Sequence, residues 1–591
     1  MRLICAISAT LLLARLMPAP ERTIDDFFST FTDEWMRFHT DEAASARYFS
    51  GAEQDAFERQ IEPQTLQQRD AERRLIRKGL NELRSFDRSK MTDAQRLSAD
   101  IIAWDLDNRV QGEPFQDYQF PLMQSYGAQA YLPALLTVRH PVATERDAEN
   151  YVARLSQVAP RMEEVIVEAR RLIGEKLGPP RFILQAAIAQ IDVFLSTPAE
   201  QNPLVASFAE RMQRVKKIST PKQAELRAEA EKITAERVYP AWRKAKALLE
   251  AEVPKASDDA GLWRLPSGVE AYSYGLRQYT TTKITGEEIH QTGLRMVAEI
   301  EERMDGLLRQ LGRTEGSVRA RMDKLRDDQA TFPATSEGRA EYEAAIERTI
   351  GDAAKRAALL FERVPKAAVV ARPYPEFMGP KAPSYSRPAP DGSRPGTFQF
   401  PVFGVPLTLF GLRTTAYHEA IPGHHFQIAL QMEDTTLPRF RKYGVFGGNS
   451  AYGEGWGLYA EQLAAESGWY EGDPVGLLGQ LDAAIFRARR LVVDTGIHAK
   501  HWTRQQAIDY LGPNPAGSPV AEVQRYVVRP GQACSYMVGE VKIVELRERA
   551  KRELGTKFSL KEFHNVVLGT GAVPLDILQQ QIDHWITVKK E

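Results

Sequence analysis

Apolar residues recur at three- and four-residue steps over most of the stretch from about residue 22 to 360, and alternations of the strand type are few. A chain patterned in this way hides one face of each helix against its neighbours, so the expected fold is mainly α. "DAENYVARLSQVAPRMEEVIVEARRLIGEK" and "GEEIHQTGLRMVAEIEERMDGLLRQLG" are the clearest long amphipathic helices, with their charges on solvated faces. Thr92 with Gln95, Thr285 with Glu288, Thr503 with Gln506 and Ser559 with Glu562 have capping-box spacing, in which a hydroxyl and a carboxylate or amide satisfy the free backbone donors of a helix start.

The pattern breaks at 366 to 412, where Pro and Gly are too dense for continuous helix. Within it "GTFQF" reads as a short strand, part of a small β element near 396–403. Pro395 and Pro401 bound it, so it is expected at an edge or in an isolated hairpin. Helical patterning resumes after Leu412 and is interrupted at "LGPNPAGSP" and "RPGQ". The expected organisation is a leader over 1–20, an N-terminal helical lobe over 21–270 and a C-terminal helical lobe over 271–591, with no marked linker between the lobes.

The N-terminus "MRLICAISATLLLARLMPAPE" has an early Arg, an apolar run and then small residues with Pro, the order of a secretory signal peptide. Its apolar run is shorter than the roughly 20 residues needed to span a bilayer. An exported protein, periplasmic or secreted, with no stable membrane insertion after leader removal is the expectation. Cys5 lacks the small-residue surroundings of a lipid-anchored cysteine, so anchoring is not expected. Removal of the leader would leave Cys534 as the only cysteine and no intramolecular disulfide. Lys plus Arg total 77 against 78 for Asp plus Glu, a net charge of -1 that supplies no global field for nucleic acid. Oligomeric state is not readable from these features.

Three of the ten histidines fall in "YHEAIPGHHFQ", beside Glu419. Catalytic zinc takes three His or carboxylate ligands and keeps a position open, and a glutamate after the first histidine is placed to act as general base. A regular helix would set the second histidine four residues after His418, but Pro422 stands there. Pro422 and Gly423 predict a bulge or restart that brings His424 into the second position, with His425 as the alternative. An accidental cluster beside a helix break is the competing reading, and a third ligand decides between them. Glu454 and Glu461, seven residues apart in "NSAYGEGWGLYAEQLA", both have suitable spacing. The glycines around Glu454 permit close backbone approach and favour it.

"HEAIPGH", "EGWGLYAE" and "PGQACSYMVGE" resemble the bacterial family known as domain of unknown function 885, whose signature is H-E-x-x-P-G-H followed by E-G-W. That family is similar to helical, two-lobed zinc peptidases with a deep cleft, the group that includes angiotensin-converting enzyme and thermostable carboxypeptidases. The resemblance implies His418, His424 and Glu454 as ligands of one zinc ion, Glu419 as the catalytic carboxylate, and His425 as a neighbour facing substrate or supporting the ligands. Asp494 and His498 lie four apart on one helical face, a spacing suited to a carboxylate orienting an imidazole, with a functional role supported chiefly by the resemblance. Tyr536 follows a turn and is a candidate donor to an oxyanion, as in the similar peptidases. Arg529 or Arg525 is a candidate partner for a peptide carboxylate. His39, His140, His290, His564 and His584 have no visible metal partner and read as structural. The expected activity is metal-assisted hydrolysis of short peptides. The alternatives are hydrolysis of non-peptide amides or esters, and an exported zinc-containing protein that binds without catalysis.

Overall fold

A computed structural model describes residues 22–124, 126–374, 382–388, 394–447, 449–513 and 518–591. The expected leader, with Cys5, lies outside these residues. The fold is mainly α, with one three-stranded sheet. The two long amphipathic segments form helices Glu145–Gly174 and Gly286–Gln310. Thr92, Thr285 and Thr503 each close a reciprocal capping box. Ser559 accepts from the Glu562 backbone, but the Glu562 carboxylate turns instead to Lys589, 2.7 Å away, so the second half of that box does not form. Among the described residues no helix is long and apolar enough to cross a membrane.

The largest hydrophobic core joins side chains from 24–106 with side chains from 262–586, so the two sides of residue 270 share it. A second core is built from Ile61 and residues 120–249. A third, containing Phe182 and Ile183 with Phe486, Val493 and Tyr526, ties the helix Arg181–Ser196 to the C-terminal helices. Burial of this apolar surface is the main force that fixes helix positions.

β1 (Val369–Pro373), β2 (Ser384–Ser386) and β3 (Gly396–Phe400) run in the order β1-β3-β2. β3 pairs parallel with β1, Val369 opposite Gly396, and antiparallel with β2, Tyr385 opposite Phe398. The expected edge strand is therefore the central one. Its prolines fall just beyond the paired residues and remove no ladder hydrogen bond, while Phe398 and Phe400 bury one face. With both edges of β3 occupied, an extended peptide has no free edge there to add to.

Candidate metal centre

The first histidine helix, Leu412–Glu419, ends at the motif and the chain turns through 420–423 before the second, His424–Glu433. Pro422 lacks a backbone donor and cannot sit inside the helix. Gly423 packs so closely that a Cβ on it would overlap the carbonyls of His418 and Tyr417. The indole Nε1 of Trp456 donates to the carbonyl of Pro422 at 2.9 Å and fixes the turn from the outside. This interruption carries His424 back toward His418, and their rings meet edge to face with centroids 4.7 Å apart.

Glu454 comes from the helix Ser450–Glu466, which packs against Ser535–Leu554 through Gly455 and Gly539. A Cβ on Gly455 would lie 2.5 Å from the Gly539 backbone, so only glycine allows this approach. Gly457 similarly clears room for the His418 imidazole, whose Cε1 would stand 2.5 Å from an added Cβ. Ligand atoms of His418, His424 and Glu454 all lie within 4.8 Å of one another. Glu454 Oε2 is 3.3 Å from His418 Nε2 and 3.6 Å from His424 Nε2.

Glu461, the other carboxylate of that helix, lies 2.8 Å from His418 Nδ1 through Oε1. A carboxylate only accepts, so Nδ1 carries the proton and Nε2 is left to face Glu454. Arg487 Nη2 stands 3.8 Å from the same oxygen. Burial disfavours a charged His418, yet its hydrogen bonds to Glu454 and Glu461 outweigh that and push it up to about 10. Burial raises Glu454 in turn, but His418 and His424 hold it well below the usual carboxylate range. The cluster is thus shaped to stabilise positive charge at its centre. His424 Nδ1 is buried with no partner among the described residues. Two imidazoles and a carboxylate in this geometry fit zinc, whose ligand preferences they match.

Glu419 closes the first histidine helix, and its carboxylate has no hydrogen-bond partner among the described residues. Burial raises it, opposed by the charges of His418 and His424. The Tyr536 hydroxyl is also unpartnered among the described residues. Burial, then the charge of Glu454, raises this phenol, and the Arg490 guanidinium lies 4.5 Å from its ring centroid.

The remaining expected site residues have other surroundings. His425 is buried, with Nε2 2.9 Å from the Ala367 carbonyl and Nδ1 2.9 Å from the Tyr385 hydroxyl, so it fastens the sheet to the second histidine helix instead of facing a ligand. The pairing expected between Asp494 and His498 does not form. Asp494 accepts from the Tyr272 hydroxyl at 2.8 Å and the Gly531 amide at 3.0 Å. His498 accepts from the Leu262 amide through Nδ1 at 3.1 Å and reaches the Tyr526 carbonyl with Nε2 at 3.1 Å. Both its nitrogens are spent on backbone, and burial pushes it down to about 4, a neutral structural histidine in place of the expected catalytic one. Arg525 is paired with Glu522. Arg529 lines a cavity of about 700 Å³ to which His418, His424 and Glu454 do not contribute. Arg487 and the orienting role of Glu461 were not expected; the i, i+7 spacing of Glu454 and Glu461 on one helix face is the signal that both turn the same way.

The profile of a family described as "Bacterial protein of unknown function (DUF885)" matches residues 45–582. A crystal structure from Colwellia psychrerythraea, of a protein described as a "putative lipoprotein", is 31% identical with a TM-score of 0.88, over 96% of this chain and 99% of that one. A structure from Shewanella oneidensis, described as a "putative lipoprotein of unknown function", shares the fold at 19% identity and a TM-score of 0.68, over 94% of this chain and 99% of that one. No curated protein matches.

Proposed function

We propose, for a chain that belongs to the DUF885 family of bacterial proteins, a zinc-dependent hydrolase that cleaves amide bonds of short peptides. The convergence of His418, His424 and Glu454 within 4.8 Å carries this reading, with the carboxylate of Glu419, next in sequence to His418, without a hydrogen-bond partner among the described residues. A zinc ion held there supplies Lewis acidity toward water and toward a carbonyl oxygen. Glu419 takes the proton of the attacking water and returns it to the leaving amine. Glu461 holds the His418 ring in the tautomer that leaves Nε2 free. Tyr536 offers its hydroxyl to the developing oxyanion. The likeness to helical zinc peptidases with a deep cleft belongs to the same proposal and rests on the motifs.

Three protein donors among the described residues favour catalysis over a purely structural zinc, which is closed by four. Non-peptide amides or esters remain the second substrate class, and digestion of a peptide library alongside a panel of small amides and esters, read by mass spectrometry, separates them. Cleavage of the small compounds with no peptide cut would overturn the peptide assignment. Export is part of the proposal, supported by the leader pattern and by the lipoprotein descriptions of the two similar structures. Those descriptions also weigh against the expectation of an unanchored protein, and metabolic labelling with a fatty-acid analogue tests Cys5 as the anchor.

A further inference from the structure

The cavity beside Arg529 has a charge pattern that does not close on itself. Its three glutamates each have a basic neighbour: Glu62 lies 3.4 Å from the His39 imidazole, Glu72 3.7 Å from Arg109, and Glu168 2.6 Å from Arg171. Of its arginines, Arg69 pairs with Asp117 and Arg109 with Asp105. Arg264 and Arg529 have no carboxylate within 4 Å among the described residues. Arg264 Nη1 donates to the Gly178 carbonyl at 2.9 Å, while its Nε is buried with no partner among the described residues. Burial pulls this guanidinium down to about 10, against the opposing charge of Asp259, which lies beyond ion-pair distance. Arg529 is held by the Tyr279 hydroxyl at 3.3 Å and by the faces of Tyr126 and Tyr279, with 4.5 and 5.4 Å from guanidinium carbon to ring centroid. Aromatic faces set a guanidinium in place but do not neutralise it. Phe115 and Tyr274, stacked with centroids 5.6 Å apart, add an apolar wall to the same cavity.

We propose that this cavity binds a carboxylate borne by a peptide, with Arg264 and Arg529 as its cationic partners and the Phe115–Tyr274 wall against the adjoining side chain. The arginines ask for a planar anion, which a guanidinium meets with parallel hydrogen bonds; the choice of a peptide as its bearer rests on the hydrolase reading above. Arg529 and Tyr536 flank the same short turn, Gln532–Cys534, so the cavity wall and the surroundings of Glu454 are joined by one segment. The carboxylate has two sources, a peptide C-terminus or an acidic side chain.

Fluorescence anisotropy on the intact protein, at low ionic strength, distinguishes them with three labelled pentapeptides: a neutral one with a free C-terminus, its C-terminal amide, and an amide with one internal glutamate. At least one carboxylate-bearing peptide is expected to bind tenfold or more tightly than the neutral amide, and the double variant Arg264→Gln/Arg529→Gln to erase that preference. Equal affinity for all three peptides overturns the site, as does a preference that persists in a folded double variant. The comparison within the unaltered protein stands even if the variant does not fold. Mass spectrometry of the same mixtures keeps the two readings apart. A carboxylate preference without cleavage supports this site and removes the hydrolase, whereas cleavage without the preference does the reverse.

Discussion

Glu419 carries the proton transfers of the proposed reaction without belonging to the ligand set, so its two effects separate. Glu419→Gln is expected to retain one equivalent of zinc and lose about 10²- to 10⁴-fold in kcat, the range typical of a positioned general base. Undiminished turnover would exclude it. Glu461 acts one step further out. Glu461→Ala is expected to weaken zinc binding about 10- to 100-fold in a chelator competition, with Glu461→Gln recovering part of the loss because its amide oxygen still accepts from His418 Nδ1. A third carboxylate, Glu540, is buried on the neighbouring helix, where burial and then the charge of Glu461 push it up to about 8. An acid that holds its proton more tightly when folded contributes its full stability below about pH 4.5 and loses it as the pH rises through about 8. Glu540→Gln is therefore expected to gain on the unaltered protein between pH 5 and pH 8.5, by about 2–4 kcal/mol, in denaturant melts. A difference independent of pH would contradict the assignment. The clustering of His418, His424 and Glu454 was legible in the sequence from residue type and from the break at Pro422 and Gly423, with His425 and Glu461 as the competing choices. Asp494 and His498 show the limit: four-residue spacing put them on one face, but Tyr272, Leu262 and Tyr526, from distant segments, claimed their polar atoms.

At the scale of elements, the site depends on where backbones approach. Gly423 sits against the carbonyl of His418 and Gly457 against its ring, so both sense ligand placement directly. Gly457→Ala is expected to shift the imidazole, lower zinc affinity and destabilise the fold by about 1–3 kcal/mol, as overpacking does. A variant with unchanged zinc affinity would show that the ring has room to spare. The break in the histidine helix was readable from Pro422 and Gly423, whereas its closure by the Trp456 indole was not, since that contact joins segments with no shared motif. β3 is readable as a strand, but its central place in the sheet is not, because Pro395 and Pro401 mark an edge only if the ladder reaches them, and it stops at Gly396 and Phe400. The capping boxes at Thr23 and Thr144 were missed for a simpler reason: Asp26 and Asp147 do the work there that glutamate or glutamine does elsewhere.

Across the whole molecule, helical class followed from periodicity, but the distribution of cores did not, because the helices of 24–106 return to pack with those beyond 262. His418, His424 and Glu454 are set among elements of this large core, so the proposed ion is not expected to be needed for folding. Removal of zinc by a chelator is expected to abolish hydrolysis while the helical circular dichroism at 222 nm stays within about 10% of its starting value; loss of the helical signal would mark zinc as structural. The central claim is that His418, His424 and Glu454 grip one ion and leave it open to solvent. Anomalous diffraction from a crystal of the purified protein, collected on both sides of the zinc absorption edge, tests this directly. The account predicts one strong peak about 2.0–2.2 Å from His418 Nε2, His424 Nε2 and a Glu454 oxygen, with no fourth protein ligand. No zinc peak among these three side chains, or one enclosed by four protein ligands, would contradict it.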